Sequence, residues 1–282
     1  LSLDAAQPTT SISILMLIFI IFIILFGAYF IYTVYKDFKK FTIIIVENES
    51  EIAKKCSEII ANLIKQKPNS SIGLMIGLGI SEKIYEELIN KYKNKEISFK
   101  DVSCYNIGEY AGLNKNNKVS LYNFIDKNFF KHIDINQHKC HFPDIEKDLT
   151  KGCKDYENLL KHTSIDLQLL GVGTNGHIGF NEPGTSFDSK VHVVNLSDRV
   201  VEYFSKLFEG NINKVPKLGV TIGIKNILNA RTVVLYANGK RKAEAIRALV
   251  RRRIDINIPV TALNKHKGKV YVIIDKELAS II

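Results

Sequence analysis

Apolar side chains crowd the N-terminal end of the chain and then settle into short runs separated by polar stretches of helical period. Residues 11–35 read SISILMLIFIIFIILFGAYFIYTVY without one charged side chain, and about 20 apolar residues suffice to cross a bilayer core as a helix. The pattern predicts one transmembrane helix there, after an N-terminal tail over 1–10. Tyr29, Tyr32 and Tyr35 stand where an interfacial belt is expected, and Lys36, Lys39 and Lys40 make residues 36–40 a basic linker. Positive-inside bias then makes this a single-pass membrane protein with its body in the cytoplasm. A cleaved signal peptide fits less well, because Asp4 precedes the run, no Lys or Arg does, and no small-residue cleavage site follows.

From residue 41 onward the period alternates. FTIIIVE over 41–47 reads as a buried strand. Asn48 and Glu51 then make an N-cap pair before a helix with Ile52, Cys56, Ile59, Ile60 and Leu63 on one face. Strands follow at 72–77, 99–105, 165–170, 232–238 and 270–275, with helices at 81–92, 119–131 and 152–162 and a basic helix after residue 239. Residues 114–118 and 263–269 read as surface loops. Strands alternating with helices predict one α/β domain over 41–282, a mostly parallel, Rossmann-like sheet with helices on both faces. Ligands of such sheets bind outside the carboxyl ends of the strands, which singles out the loops after 72–77, 99–105 and 165–170.

Charge and cysteine content narrow the function classes. The net charge of +10 in 282 residues is spread along the chain, densest at Lys240, Arg241, Lys242, Arg247, Arg251, Arg252 and Arg253. No aromatic platform is interleaved with them, so they read mainly as a solvated helix face, and no nucleic-acid partner is expected. Cys56, Cys104, Cys140 and Cys153 lack metal-ligand spacing, so neither a metal nor a disulfide framework is expected.

The stretch GVGTNGHIGFNEPG, residues 171–184, carries the chemistry. Gly171, Gly173 and Gly176 satisfy GxGxxG after a strand, and Asp198 lies near the distance of a ribose-binding acid. A dinucleotide site, however, needs a helix to start at the third glycine, and Gly179, Pro183 and Gly184 prevent one of normal length. What remains is a glycine loop presenting His177 and Glu182, an imidazole with a carboxylate to orient and tune it. A histidine that only satisfies loop carbonyls is the bland alternative; glycines that admit a ligand close to the backbone favour the functional one.

These residues resemble the signature loop of the glucosamine-6-phosphate deaminases, GxGxDGHIAFNEP. SFKDVSCYNIGEYAGL (98–113) is similar to the family segment ending in Asp-Glu-Tyr-x-Gly-Leu, NKVPKLGVTIGIKNIL (213–228) to its Val-Pro region, and NGKRKA (238–243) to its Gly-x-x-Lys-Ala turn. The related 6-phosphogluconolactonases share the Gly-His element without the Asn-Glu-Pro. The resemblance implies conversion of glucosamine 6-phosphate and water to fructose 6-phosphate and ammonia, with no cofactor, a phosphorylated amino sugar as partner, and a homo-oligomer. It implies His177 as acid/base at the ring oxygen, Glu182 as its tuner, and Lys242 as the phosphate cation, with Gly79, Ser81, Gly176 and Lys206 as further substrate contacts.

The chain departs from the family at four points. Gly108 stands where the C2-proton base, an Asp, is expected. Asn175 replaces the Asp before Gly-His, Gly77 to Ser81 replaces a hydroxyl-rich turn, and Lys206 replaces an Arg. Gly108 and Asn175 are thus degenerate catalytic positions. His192 and Val194 stand where bacterial relatives carry an allosteric Arg and Lys, so that regulation is not expected. Three readings stay open: a working deaminase; a membrane-tethered pseudoenzyme that binds a phosphosugar or serves as a scaffold; and a 6-phosphogluconolactonase-like hydrolase.

Overall fold

A computed structural model describes residues 16–29, 41–76 and 79–282. They fall into two units, residues 1–41 and 42–282.

The first unit corrects one expectation. Helix α1 is described over residues 16–29. Among the described residues no helix is long and apolar enough to cross a membrane. Residues 1–15 and 30–40, which hold the expected tail, the ends of the span and the basic linker, lie outside the described residues. The single-pass topology, the membrane partner and the cytoplasmic placement drawn from it therefore do not stand.

The second unit follows the predicted alternation. Strand β1 (Phe41–Val46) leads into α2 (Glu49–Gln66), where the Asn48 side chain accepts the Glu51 amide at 3.1 Å. Next come β2 (Ser71–Leu74), α3 (Ile80–Lys93), β3 (Ser103–Asn106), β4 (Gly108–Tyr110), α4 (Leu121–Asn128), β5 (Cys140–His141), α5 (Leu149–Lys161) and β6 (Leu167–Gly171). The remainder is β7 (His192–Asn195), α6 (Asp198–Phe204), β8 (Leu218–Thr221), α7 (Ile224–Leu228), β9 (Thr232–Ala237), α8 (Ala243–Val250), β10 (Lys269–Asp275) and α9 (Lys276–Ala279).

Seven strands form one sheet in the order β1-β10-β9-β6-β2-β3-β5, and the registered pairs from β10 to β5 are all parallel. Both faces are covered. On β9, Val234 and Tyr236 join the cluster that α2 and α3 complete, while Val233 and Leu235, pointing the other way, are equally buried.

Local differences have local causes. The strand expected at 99–105 begins at Ser103, because Phe99 to Val102 close a turn through the Val102 amide and the Phe99 carbonyl. Residues 259–265, of which 263–265 were expected as loop, form 3-10 helix. The basic helix is split: Lys240–Lys242 make a 3-10 turn and α8 ends at Val250. A second, antiparallel sheet, β4-β8-β7, was not predicted. Its strands have three or four residues, too few for alternation to register.

Candidate active site

A cavity of about 380 Å³ opens at the carboxyl ends of the parallel strands, where strand-to-helix loops converge. The loop after β2 contributes Gly79, the loop after β6 contributes His177, and the turn after β9 contributes Lys242. Apolar side chains such as Ile76, Ile107 and Phe204 make much of the wall, so the few polar groups act in a low-dielectric setting.

The histidine is held from behind. Its Nδ1 lies 2.8 Å from Asn175 Oδ1, and Asn175 Nδ2 donates to Glu182 Oε2 at 2.7 Å. Glu182 Oε1 accepts the Ser197 hydroxyl at 2.8 Å and stands 3.6 Å from His177 Nδ1. Because a carboxylate only accepts, the Asn175 amide must turn its NH2 to Glu182 and its oxygen to the ring. Nδ1 is then the protonated nitrogen, and Nε2 is the ring atom through which a proton would pass to a ligand. Asn175, expected as a degenerate position, is therefore the link between His177 and Glu182. An Asp there would set two carboxylates against each other at hydrogen-bond distance.

The glycines make this loop possible. A Cβ on Gly173 would collide with the His177 ring. Gly176 has φ +84°, and a Cβ there would sit 2.6 Å from Ile258, while its carbonyl accepts the Val260 amide. Gly176 thus packs against the 3-10 segment and does not line the cavity. The buried Asn181 side chain ties the loop to β8 through the Ile178 and Ile222 carbonyls, each at 2.9 Å.

Lys242 forms the cationic part of the site. Burial lowers its pKa, and Asp275 and Glu49 pull it partly back. Arg251, Arg252 and Arg253 of the same basic cluster are exposed, so the solvated-face reading holds for them and fails for Lys242. Gly79 caps α3 with φ +92° and lines the cavity, whereas Ser81 is buried and bonds Tyr236. Lys206 is exposed in the 3-10 turn Ser205–Phe208 and is not among the lining residues. Gly77 and Leu78 lie outside the described residues. Sequence reasoning missed Glu49, which lines the cavity and pairs with Lys83 at 3.3 Å. Its place in the first turn after β1, at the same edge of the sheet, was the available signal.

Gly108 is buried in β4, next to the cavity-lining Ile107. A Cβ on it would lie 2.5 Å from the Val220 carbonyl oxygen and 3.4 Å from the Phe180 ring. Gly108→Asp is therefore expected to push β4 from β8 and to destabilise the protein by at least about 1–3 kcal/mol, read as a lower urea midpoint.

Glu109 serves another purpose than catalysis. Its buried carboxylate accepts the amides of Tyr110, Leu121 and Tyr122, each at 2.8 Å, and so caps α4. Burial raises its pKa to about 7 against the pull of those three donors. A carboxyl raised in the folded state favours folding below its ordinary value near 4.5, and that contribution is lost as pH rises through about 7. Urea midpoints should fall between pH 5 and pH 8 by on the order of 3 kcal/mol from this group. Glu109→Gln should flatten that slope while lowering stability throughout, since the amide cannot accept from all three donors.

A parallel sheet that holds an oriented histidine and a half-buried lysine in one cavity belongs with acid–base proteins of small anionic ligands. Residues 47–272 match the family of glucosamine-6-phosphate isomerases and 6-phosphogluconolactonases, and the chain belongs to that family. It is 42% identical over 239 residues to a glucosamine-6-phosphate deaminase of Mycoplasma mycoides, covering 84% of this chain and 96% of the relative. It is likewise 42% identical to one from Clostridium novyi, covering 84% and 98%. The fold superposes on a solved monomeric glucosamine-6-phosphate deaminase with TM-score 0.81 at 37% identity, covering 86% of this chain and 100% of that one. A 6-phosphogluconolactonase of Trypanosoma brucei, 19% identical with TM-score 0.70 over 85% and 97% of the chains, shares the fold.

Proposed function

We infer that this protein is a glucosamine-6-phosphate deaminase, opening the sugar ring, moving a proton between C2 and C1, and hydrolysing the C2 imine so that water supplies the carbonyl oxygen of fructose 6-phosphate and the nitrogen leaves as ammonia. The observation that carries the reading is the Asn175–Glu182-braced His177 in the same cavity as Lys242. Lys242 would bind the phosphate, the apolar wall strengthening the attraction between the two charges. Nε2 of His177 would give the ring oxygen its proton as the C1–O bond opens, and Asn175 with Glu182 would hold the imidazolium in place beforehand. Gly79, at the N-terminus of α3, would offer backbone approach to the substrate.

The C2 proton transfer is the step that Gly108 leaves without a carboxylate. Loss of a positioned base typically costs about 10² to 10⁴ in rate, so C–H cleavage should limit turnover. Ammonia and fructose 6-phosphate are measured from glucosamine 6-phosphate and from its C2-deuterated form. Turnover with a primary isotope effect is the expected result. A folded protein that is stabilised by the substrate but releases no ammonia would overturn the deaminase reading. It would leave the second reading, a phosphosugar-binding protein without turnover, which Gly108 supports.

A further inference from the structure

A second cavity, about 300 Å³, lies between the end of α5, the end of β3 and helix α7. Its floor is polar where a central parallel strand is ordinarily apolar on both faces. Gln168 sits in the middle of β6, 3% exposed, opposite Gly73 of β2. A Cβ on Gly73 would collide with the Gln168 amide, so the glycine is what admits this side chain to the sheet.

Asn106, at the end of β3, is 1% exposed and lines the same cavity. Its Nδ2 donates to the Gly108 carbonyl, while its Oδ1 has no hydrogen-bond partner. Lys161, Lys190 and Lys225 line the mouth. The carboxylate facing them, Glu157, already accepts from the Val191 amide and the Asn226 side chain at 3.1 and 2.9 Å. The lining therefore carries net positive charge.

We propose that this second cavity binds a small anionic polyol, its phosphate or carboxylate among the three lysines and its hydroxyls over the polar floor. A compact anion suits lysine ammonium groups, which recognise charge without demanding a planar geometry. The hydroxyls suit the amides of Gln168 and Asn226. The two cavities share a wall, since Asn106 lines the second and Ile107 the first. This assignment does not depend on the reaction catalysed in the first cavity.

Glucitol 6-phosphate, which has no carbonyl or hemiacetal to open, is titrated calorimetrically into the full chain. Two binding events are expected in the parent protein. One should weaken at least tenfold in Lys190→Ala/Lys225→Ala, whose exposed positions leave the melting temperature unchanged, and survive in Lys242→Ala. Gluconate and inorganic phosphate, run on the Lys242→Ala protein, tell which anionic group the lysines prefer. A single event that the paired lysine change leaves untouched overturns the proposal. So does binding of neutral sorbitol as tight as that of the phosphate ester.

Discussion

His177→Ala should lower turnover of glucosamine 6-phosphate by about 10² to 10⁴ while leaving the fold intact. The ring is the only part of the Asn175–His177–Glu182 chain that lines the cavity, and its partners reach it from behind. Removing it deletes the proton donor and leaves Asn175 bonded to Glu182 and Glu182 bonded to Ser197. The loop backbone is held separately, by Asn181 to β8 and by the Gly176 carbonyl to Val260. The loss should therefore appear in kcat, with thermal melting close to that of the parent. A variant that melts normally and still turns over at more than a tenth of the parent rate would remove His177 from the mechanism.

Lys242→Met should raise KM about 10- to 100-fold, the range set by one charge-assisted hydrogen bond in a desolvated site. Methionine keeps the length and apolar stem of lysine and deletes the ammonium. Because burial already disfavours that charge in the empty cavity, the variant should melt no lower than the parent. The ligand-induced rise in Tm should shrink with it, since that rise follows the affinity. Steady-state kinetics and melts with and without glucosamine 6-phosphate separate the two effects. An unchanged KM would move the phosphate away from Lys242.

These two residues also show how differently the parts of the site can be read. His177 is legible because a histidine among glycines after a buried strand is an improbable arrangement for packing alone. Lys242 was legible only through resemblance, since periodicity assigns it to the same solvated face as Arg251 and Arg252. Lys206, to which motif position pointed, is exposed in a 3-10 turn and is not among the residues that line the cavity. Asn175 looked like a lost acid. Its amide, able to donate to one neighbour and accept from another, proves to be the link between His177 and Glu182.

By itself the sequence determined the α/β alternation, the carboxyl-edge location of the site and the glycine loop that carries His177. Burial period and backbone permissiveness are local properties, written in neighbouring residues. Only the tertiary structure decided that Gly108 is packed against the Val220 carbonyl, that Glu109 caps α4, and that Glu49 and Lys242 meet in one cavity. Each of these depends on what lies opposite a residue after the chain has closed on itself, which is not encoded in the period of the residues around it.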